Sequence, residues 1–322
     1  MKKKVVALLL VAVMAMACLA GCGGKKGDGK IHVGIINNDP SESGYRTANV
    51  NDLKAMFGEG NTNNYEGQFF YSLKNDEQIE AAKKMITDGV DYLLLSAADT
   101  SGWDGVLKDA KKAGVKVILF DRTIDASDDL YESSVVSDMD KEGEMAVEWL
   151  ASQNLSEYNI IHIQGAMGSA AQKGRTGALD AKVAASDNWN MVVQQTATWD
   201  ANEATKIVAS AINAGKSFNV IYAENDGMAQ GAVKALDDAG ISHGVGKDVI
   251  VIGFDCNKWA LEELKAGNWN YDGQCNPFQA QYLHDIIQKL EKGESVDKQI
   301  IMDEKGFDAT TITDDDVNKY GI

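Results

Sequence analysis

Asp121 and Arg122 stand side by side, directly after the apolar run VKVILF at 115–120. Other polar residues follow other apolar runs in the same way: Gln164 and Gly165 after IIHI, Asn225 and Asp226 at the end of VIYAE, and Asp255 after VIVIGF. In open α/β sheets, ligands bind beyond the carboxyl ends of the strands, where such residues would converge. A polar residue at a strand end can also cap the next helix, and that alternative stays open for each one singly. An arginine beside an aspartate, with acids and amides at several further strand ends, points collectively to a ligand cleft.

Other chemistries lack their residues. There is no G-x-S-x-G elbow to carry a hydrolase nucleophile. Gly215-Lys216-Ser217 resembles the end of a phosphate-binding loop, but the position five before it is Ser210, so it reads as a helix stop and turn. The four histidines, His32, His162, His243 and His284, fall in different elements with no metal-ligand spacing. Asp314-Asp315-Asp316 lacks the alternating ligands and glycine of a calcium loop and reads as a solvated acidic cluster. No metal or cofactor is expected. Paired carboxylates for acid–base work are not singled out from ordinary ligand-binding acids.

The elements that would position the strand ends alternate along the chain. Short apolar runs, among them IHVGIIN at 31–37, VDYLLLS at 90–96 and VIVIGF at 249–254, are separated by amphipathic stretches of three or four turns. Such runs read as parallel strands buried on both faces. With 322 residues, the reading is α/β: two doubly wound parallel-sheet lobes of five or six strands each.

The N-terminus reads as an address. Lys2, Lys3 and Lys4 precede an apolar run from Val5 to Ala20, too short to span a bilayer and suited to a secretory signal. Leu19-Ala20-Gly21-Cys22 resembles the lipobox of bacterial lipoproteins, which makes Cys22 the lipidated residue; the alternative is ordinary cleavage after Ala15-Met16-Ala17. Residues 22–30 then form a flexible tether. Removal of residues 1–21, with three lysines and no acids, takes the net charge from −17 to −20. A surface that acidic repels phosphate backbones, which argues against a nucleic-acid partner.

The stretches 41–48 (SESGYRTA), 100–103 (TSGW), 121–125 (DRTID), Gln164-Gly165 with Gly168-Ser169, 222–226 (YAEND) and 275–277 (CNP) follow one another along the chain. With these stretches, in the family's order, the chain resembles the type I periplasmic sugar-binding proteins of bacterial ABC transporters, the ribose- and galactose-binding group, and looks most like its galactofuranose-binding subgroup. The resemblance implies two lobes joined by a three-strand hinge, with 31–136 and 277–297 in the first and 137–276 and 298–322 in the second. It implies ligand contacts from Asp121, Arg122, Glu42 and Arg46 on one lobe, and from Arg175, Asn225, Asp255 and the crossover residue Asn276 on the other. Tyr45 and Trp199 are candidates for the sugar's ring faces, Trp199 alternatively packing on its own lobe, and Asp226 either caps its helix or touches sugar. This fits the chemistry: sugar hydroxyls are best held by carboxylates and guanidiniums through charge-assisted hydrogen bonds. Where the family usually reads R-x-x-G-F, this chain reads Arg175-Thr176-Gly177-Ala178-Leu179, so packing there is expected to differ. Cys256 and Cys275 would lie near the hinge, where a disulfide between them is a hypothesis.

The expectation is thus a lipid-anchored, monomeric, extracytoplasmic protein of the cell membrane. It would capture a monosaccharide, galactofuranose or another furanose such as arabinofuranose or fructose, and deliver it to an ABC transporter permease without catalysing a reaction. The alternatives are a sensor presenting sugar to a membrane receptor kinase and a pyranose- or ribose-specific binder. A repressor of the same fold would need an N-terminal helix-turn-helix and a basic face.

Overall fold

The computed structural model describes residues 29–322. The expected signal segment, Cys22 and most of the tether lie outside the described residues.

The apolar runs form two six-stranded sheets, each covered by helices on both faces. The first contains β1 (Ile31–Asn37), β2 (Tyr65–Tyr71), β3 (Tyr92–Leu95), β4 (Lys116–Asp121), β5 (Ser133–Val136) and β11 (Gln299–Ile301). All are parallel, in the order β11-β5-β4-β3-β1-β2. At its centre Leu94 pairs with Ile35 on one side and Ile118 on the other, all fully buried. Helices α1 (Gly44–Phe57) and α9 (Ala280–Glu291) cover one face, through Leu53, Phe57, Leu283 and Ile287. Helices α2 (Asn75–Asp88) and α3 (Asp104–Ala113) cover the other, through Ala82, Met85, Leu107 and Ala110. Gly89 and Gly114 end these two helices in the left-handed region, where a side chain is disfavoured.

The second sheet contains β6 (Tyr158–Gln164), β7 (Trp189–Thr196), β8 (Val220–Ala223), β9 (Ile250–Phe254), β10 (Tyr271–Gly273) and β12 (Gly306–Asp308), in the order β12-β10-β9-β8-β6-β7. Among the described residues, only the edge strand β12 runs antiparallel to its neighbour. Helices α4 (Met139–Ser152) and α5 (Ala170–Ala184) pack on one face, and α6 (Ala201–Asn213), α7 (Asp226–Asp238), α8 (Lys258–Lys265) and α10 (Asp314–Tyr320) on the other. The acidic run 314–316 begins α10, where Thr313 and Asp316 form a capping box.

Three segments cross between the lobes: 137–138, 274–279 and 302–305. The third differs from the expected boundary at 297/298. Strand β11 pairs with β5, Ile300 opposite Val135, so the first lobe runs to Ile301 and the second resumes at Gly306. Three residues at an exposed edge carry too little apolar pattern to register as a strand. Glu304 ties the crossovers together, since its Oε1 accepts from Ser137 Oγ at 2.7 Å and from the Asn276 amide at 2.6 Å. Burial, with the nearby Glu142, pushes the Glu304 carboxyl up to about 9.

Strands β9 and β10 do run side by side, yet Cys256 and Cys275 are free and buried. Cys256 adopts φ +59° and turns its thiol to Asp272 Oδ1 at 3.8 Å, while the Cys275 thiol lies 3.6 Å from Ser137 Oγ. Burial pushes both thiols up, which further lowers their reactivity. Iodoacetamide should therefore label neither in the native protein and both in denaturant without reductant. Labelling that requires reductant would restore the disulfide.

Candidate functional site

Arg46, in the first turn of α1, is fully buried and organises the first lobe's wall. Ser43 caps the helix by accepting from the Arg46 amide at 3.1 Å, which fixes where the side chain leaves the backbone. Its Nε donates to Glu42 Oε2 at 3.0 Å, Nη1 to Asn37 Oδ1 at 2.8 Å, and Nη2 lies 2.7 Å from Asp121 Oδ2. Asp121, the last residue of β4, also accepts from Tyr45 Oη at 2.8 Å and Ser96 Oγ at 2.6 Å. Burial opposes its ionisation, but Arg46, Arg122 and the Ser96 hydroxyl outweigh burial and hold the carboxyl below its ordinary value. Arg122 Nη2 donates to Glu42 Oε2 at 3.1 Å, while its buried Nη1 has no partner among the described residues. A buried donor left unmatched is costly, and this one is available to a ligand.

The second lobe contributes Arg175 from α5. Its Nε donates to Glu142 Oε2 at 2.7 Å, its Nη1 to the Glu224 carbonyl, and its Nη2 lies 3.5 Å from Asp255 Oδ1. Burial pushes the Asp255 carboxyl well up, and Arg175 offsets this only in part. Asn225 caps α7, its Oδ1 accepting from the Met228 amide at 2.8 Å. The Trp199 indole fills the space that a side chain at Gly165 would need, and its buried Nε1 is a second unmatched donor.

Together these residues line a narrow cleft between the two carboxyl ends of the sheets. Nine of the sequence-predicted residues line it: Glu42, Tyr45, Arg46, Asp121, Arg122, Arg175, Trp199, Asn225 and Asp255. Two do not. Asp226 is buried behind the wall, holding Asn257 through its amide at 2.7 Å and its Nδ2 at 3.0 Å. Asn276 closes a local turn, its Oδ1 accepting from the Phe278 amide at 3.0 Å. Ser43, Met139, Ala171 and Cys275 also line the pocket, although the sequence offers none of them as a ligand contact. Of the seven non-glycine residues with positive φ among those described, Asp121, Thr198, Trp199, Asp255 and Cys256 cluster here. Such backbone costs about 1–3 kcal/mol each and persists where the surroundings impose it.

Comparison with known proteins decides the family. The family described as Periplasmic binding protein domain matches residues 30–295. The chain belongs to it.

Fructose import binding protein FruE of Bifidobacterium longum is 32% identical, over 96% of this chain and 95% of that protein. Galactofuranose-binding protein YtfQ of Escherichia coli is 28% identical, over 81% and 83%. A crystal structure from Mycobacterium smegmatis in complex with β-D-fucofuranose superposes with a TM-score of 0.80 at 28% identity, over 87% of this chain and 92% of that one.

Behind the pocket, this periplasmic binding protein buries two carboxyls against each other. Asp226 and Asp272 are both fully buried, and burial raises both, Asp272 to about 8. Asp226 Oδ1 and Asp272 Oδ2 find no donor among the described residues, as expected for two acids that share a proton. The folded form keeps a proton that an exposed aspartate releases near its ordinary value of about 4. The pair's contribution to stability should therefore be full below that value and be lost as the pH rises toward about 8. Asp272→Asn keeps the acceptor for the Cys256 amide and removes the titration, so its melting temperature should exceed that of wild type at pH 8, with the gain shrinking toward pH 4. A gain independent of pH would refute the shared proton.

Proposed function

We propose that this protein captures a monosaccharide in furanose form, galactofuranose, arabinofuranose or fructose, and delivers it to the permease of an ABC transporter. In this reading it works outside the cytoplasm, tethered through a lipid on Cys22, and the sugar leaves chemically unchanged.

The observation that carries the proposal is the charge pairing within the pocket. Glu42 and Asp121 are matched by Arg46 and Arg122, and Arg175 by Glu142 and Asp255. The charges satisfy each other, so the ligand that fits is neutral. The groups left to receive it, Arg122 Nη1 and Trp199 Nε1, together with the Asp255 carboxyl and the Tyr45 and Trp199 rings, suit a compact polyol with one apolar face. The ligands named for FruE, YtfQ and the Mycobacterium smegmatis structure support a furanose.

A thermal-shift panel of D-fructose, D-galactose, L-arabinose, D-ribose and D-glucose tests the reading, because a ligand that binds only the folded state raises its melting temperature. Stabilisation by a sugar with a populated furanose form, and none by D-glucose, is expected; a panel with no response would sink the proposal. By calorimetry, Arg122→Ala should weaken binding of the responding sugar at least about tenfold, since a lost charge-assisted bond costs about 1.5–3 kcal/mol. Native affinity in that variant would show that the pocket is misassigned.

A further inference from the structure

Around the rim of the cleft, the lobes touch at two places that share no residue with the pocket wall. At one, the Thr100 amide of the first lobe donates to the Gly168 carbonyl of the second at 3.3 Å. Lys173, one turn into α5, donates to Thr100 Oγ1, and its ammonium lies 3.4 Å from Asp125 Oδ2. The Thr100 hydroxyl donates to Asp125 Oδ2 at 2.5 Å, closing a triangle of ammonium, hydroxyl and carboxylate across the lobe boundary.

At both contacts a glycine admits a side chain from the opposite lobe. A Cβ at Gly44, the first residue of α1, would lie 1.8 Å from Asn257 Oδ1, and one at Gly168 would lie 2.2 Å from Asp99 Oδ2. Asn257 has little room to yield, because Asp226 holds both its amide and its Nδ2. The buried carboxyl that contributes nothing to the pocket thus keeps Asn257 opposite Gly44.

We infer that these rim contacts form a latch that sets how long the closed form lasts, with Lys173, Thr100, Asp125, Gly44 and Asn257 acting as positioning residues. The inference rests on the reading of the cleft as one that closes on a small ligand. Each contact exists only when the lobes meet, so each biases the open–closed equilibrium and, through it, the apparent affinity, without touching the ligand.

The test uses the full chain and the same sugar panel, following association and dissociation by stopped-flow tryptophan fluorescence. Lys173→Met should raise the dissociation rate about threefold or more with association changed less than about twofold, and Lys173→Arg should stay near wild type. Gly44→Ala should weaken binding at least about tenfold while leaving the ligand-free melting temperature unchanged or higher, since alanine favours a helix. Gly44→Ala combined with Asn257→Ala should recover most of the loss. Undiminished binding by Gly44→Ala, or a loss that the second substitution leaves in place, would overturn the latch.

A second arm needs no sugar. Gly44→Cys with Asn257→Cys should form a 44–257 disulfide under diamide, identified by peptide mass, because a Cβ at 44 would lie 2.8 Å from the Asn257 Cγ position. No such link in the folded protein, with or without sugar, overturns the latch. A wild type that takes none of the sugars overturns the sugar reading alone, and the crosslink then decides whether the rim contacts form.

Discussion

A guanidinium taken wholly out of water must be matched, and in this chain that requirement is met around Arg46. Removing one partner of a buried ion pair costs about 3–5 kcal/mol, so the matching groups are held as firmly as a core. Here they come from the ends of β1 and β4 and the turn before α1. Asn49 extends the network, donating to the Pro277 carbonyl and to Gln279 Oε1, both at 2.8 Å, on a crossover segment. Gln279 in turn donates to Tyr45 Oη at 3.1 Å. The pocket wall, the first helix and one hinge segment therefore share a single hydrogen-bonded body, which presets the first lobe's half of the site.

The two halves are matched differently. On the first lobe, arginines keep Asp121 ionised against the pull of burial. On the second, burial prevails at Asp255, and Arg175 divides its donors among Glu142, a backbone carbonyl and Asp255. A polyhydroxyl ligand, whose every group both donates and accepts, can meet the acceptors of one wall and the donors of the other.

Much of this was legible in the sequence. The buried strands announce themselves as apolar runs, and because parallel sheets place ligands at their carboxyl ends, the next polar residue is a sound guess; Asp121, Arg122, Asn225 and Asp255 all came that way. The departures from the pocket lining share a physical origin. Asp226 has the right type and place but is turned inward to hold Asn257, and no pattern distinguishes an acid facing a pocket from one facing a helix end. Asn276 spends its side chain on its own turn. Met139, Ala171 and Cys275 shape the pocket by bulk alone, which composition does not mark. The left-handed backbone at Asp121, Asp255 and Trp199 is likewise invisible, since none of these is a glycine. Strand β11 escaped because a short exposed edge needs only its neighbour's hydrogen bonds.

The interleaved crossovers also govern how the molecule comes into being. The first lobe's strands β1 to β5 end at Val136, but the helix that covers Leu53 and Phe57 begins only at Ala280, and the sheet's last strand ends at Ile301. Everything between belongs to the other lobe, whose own edge strand and final helix come later still. A chain made from its N-terminus thus has no lobe to finish early; the closing contacts of both are the most distant in sequence and arrive last. A stop codon near residue 279 would spare most of the second lobe and strip the first of a core helix. Folding is thereby tied to completion of the chain, and the two halves of the cleft mature together.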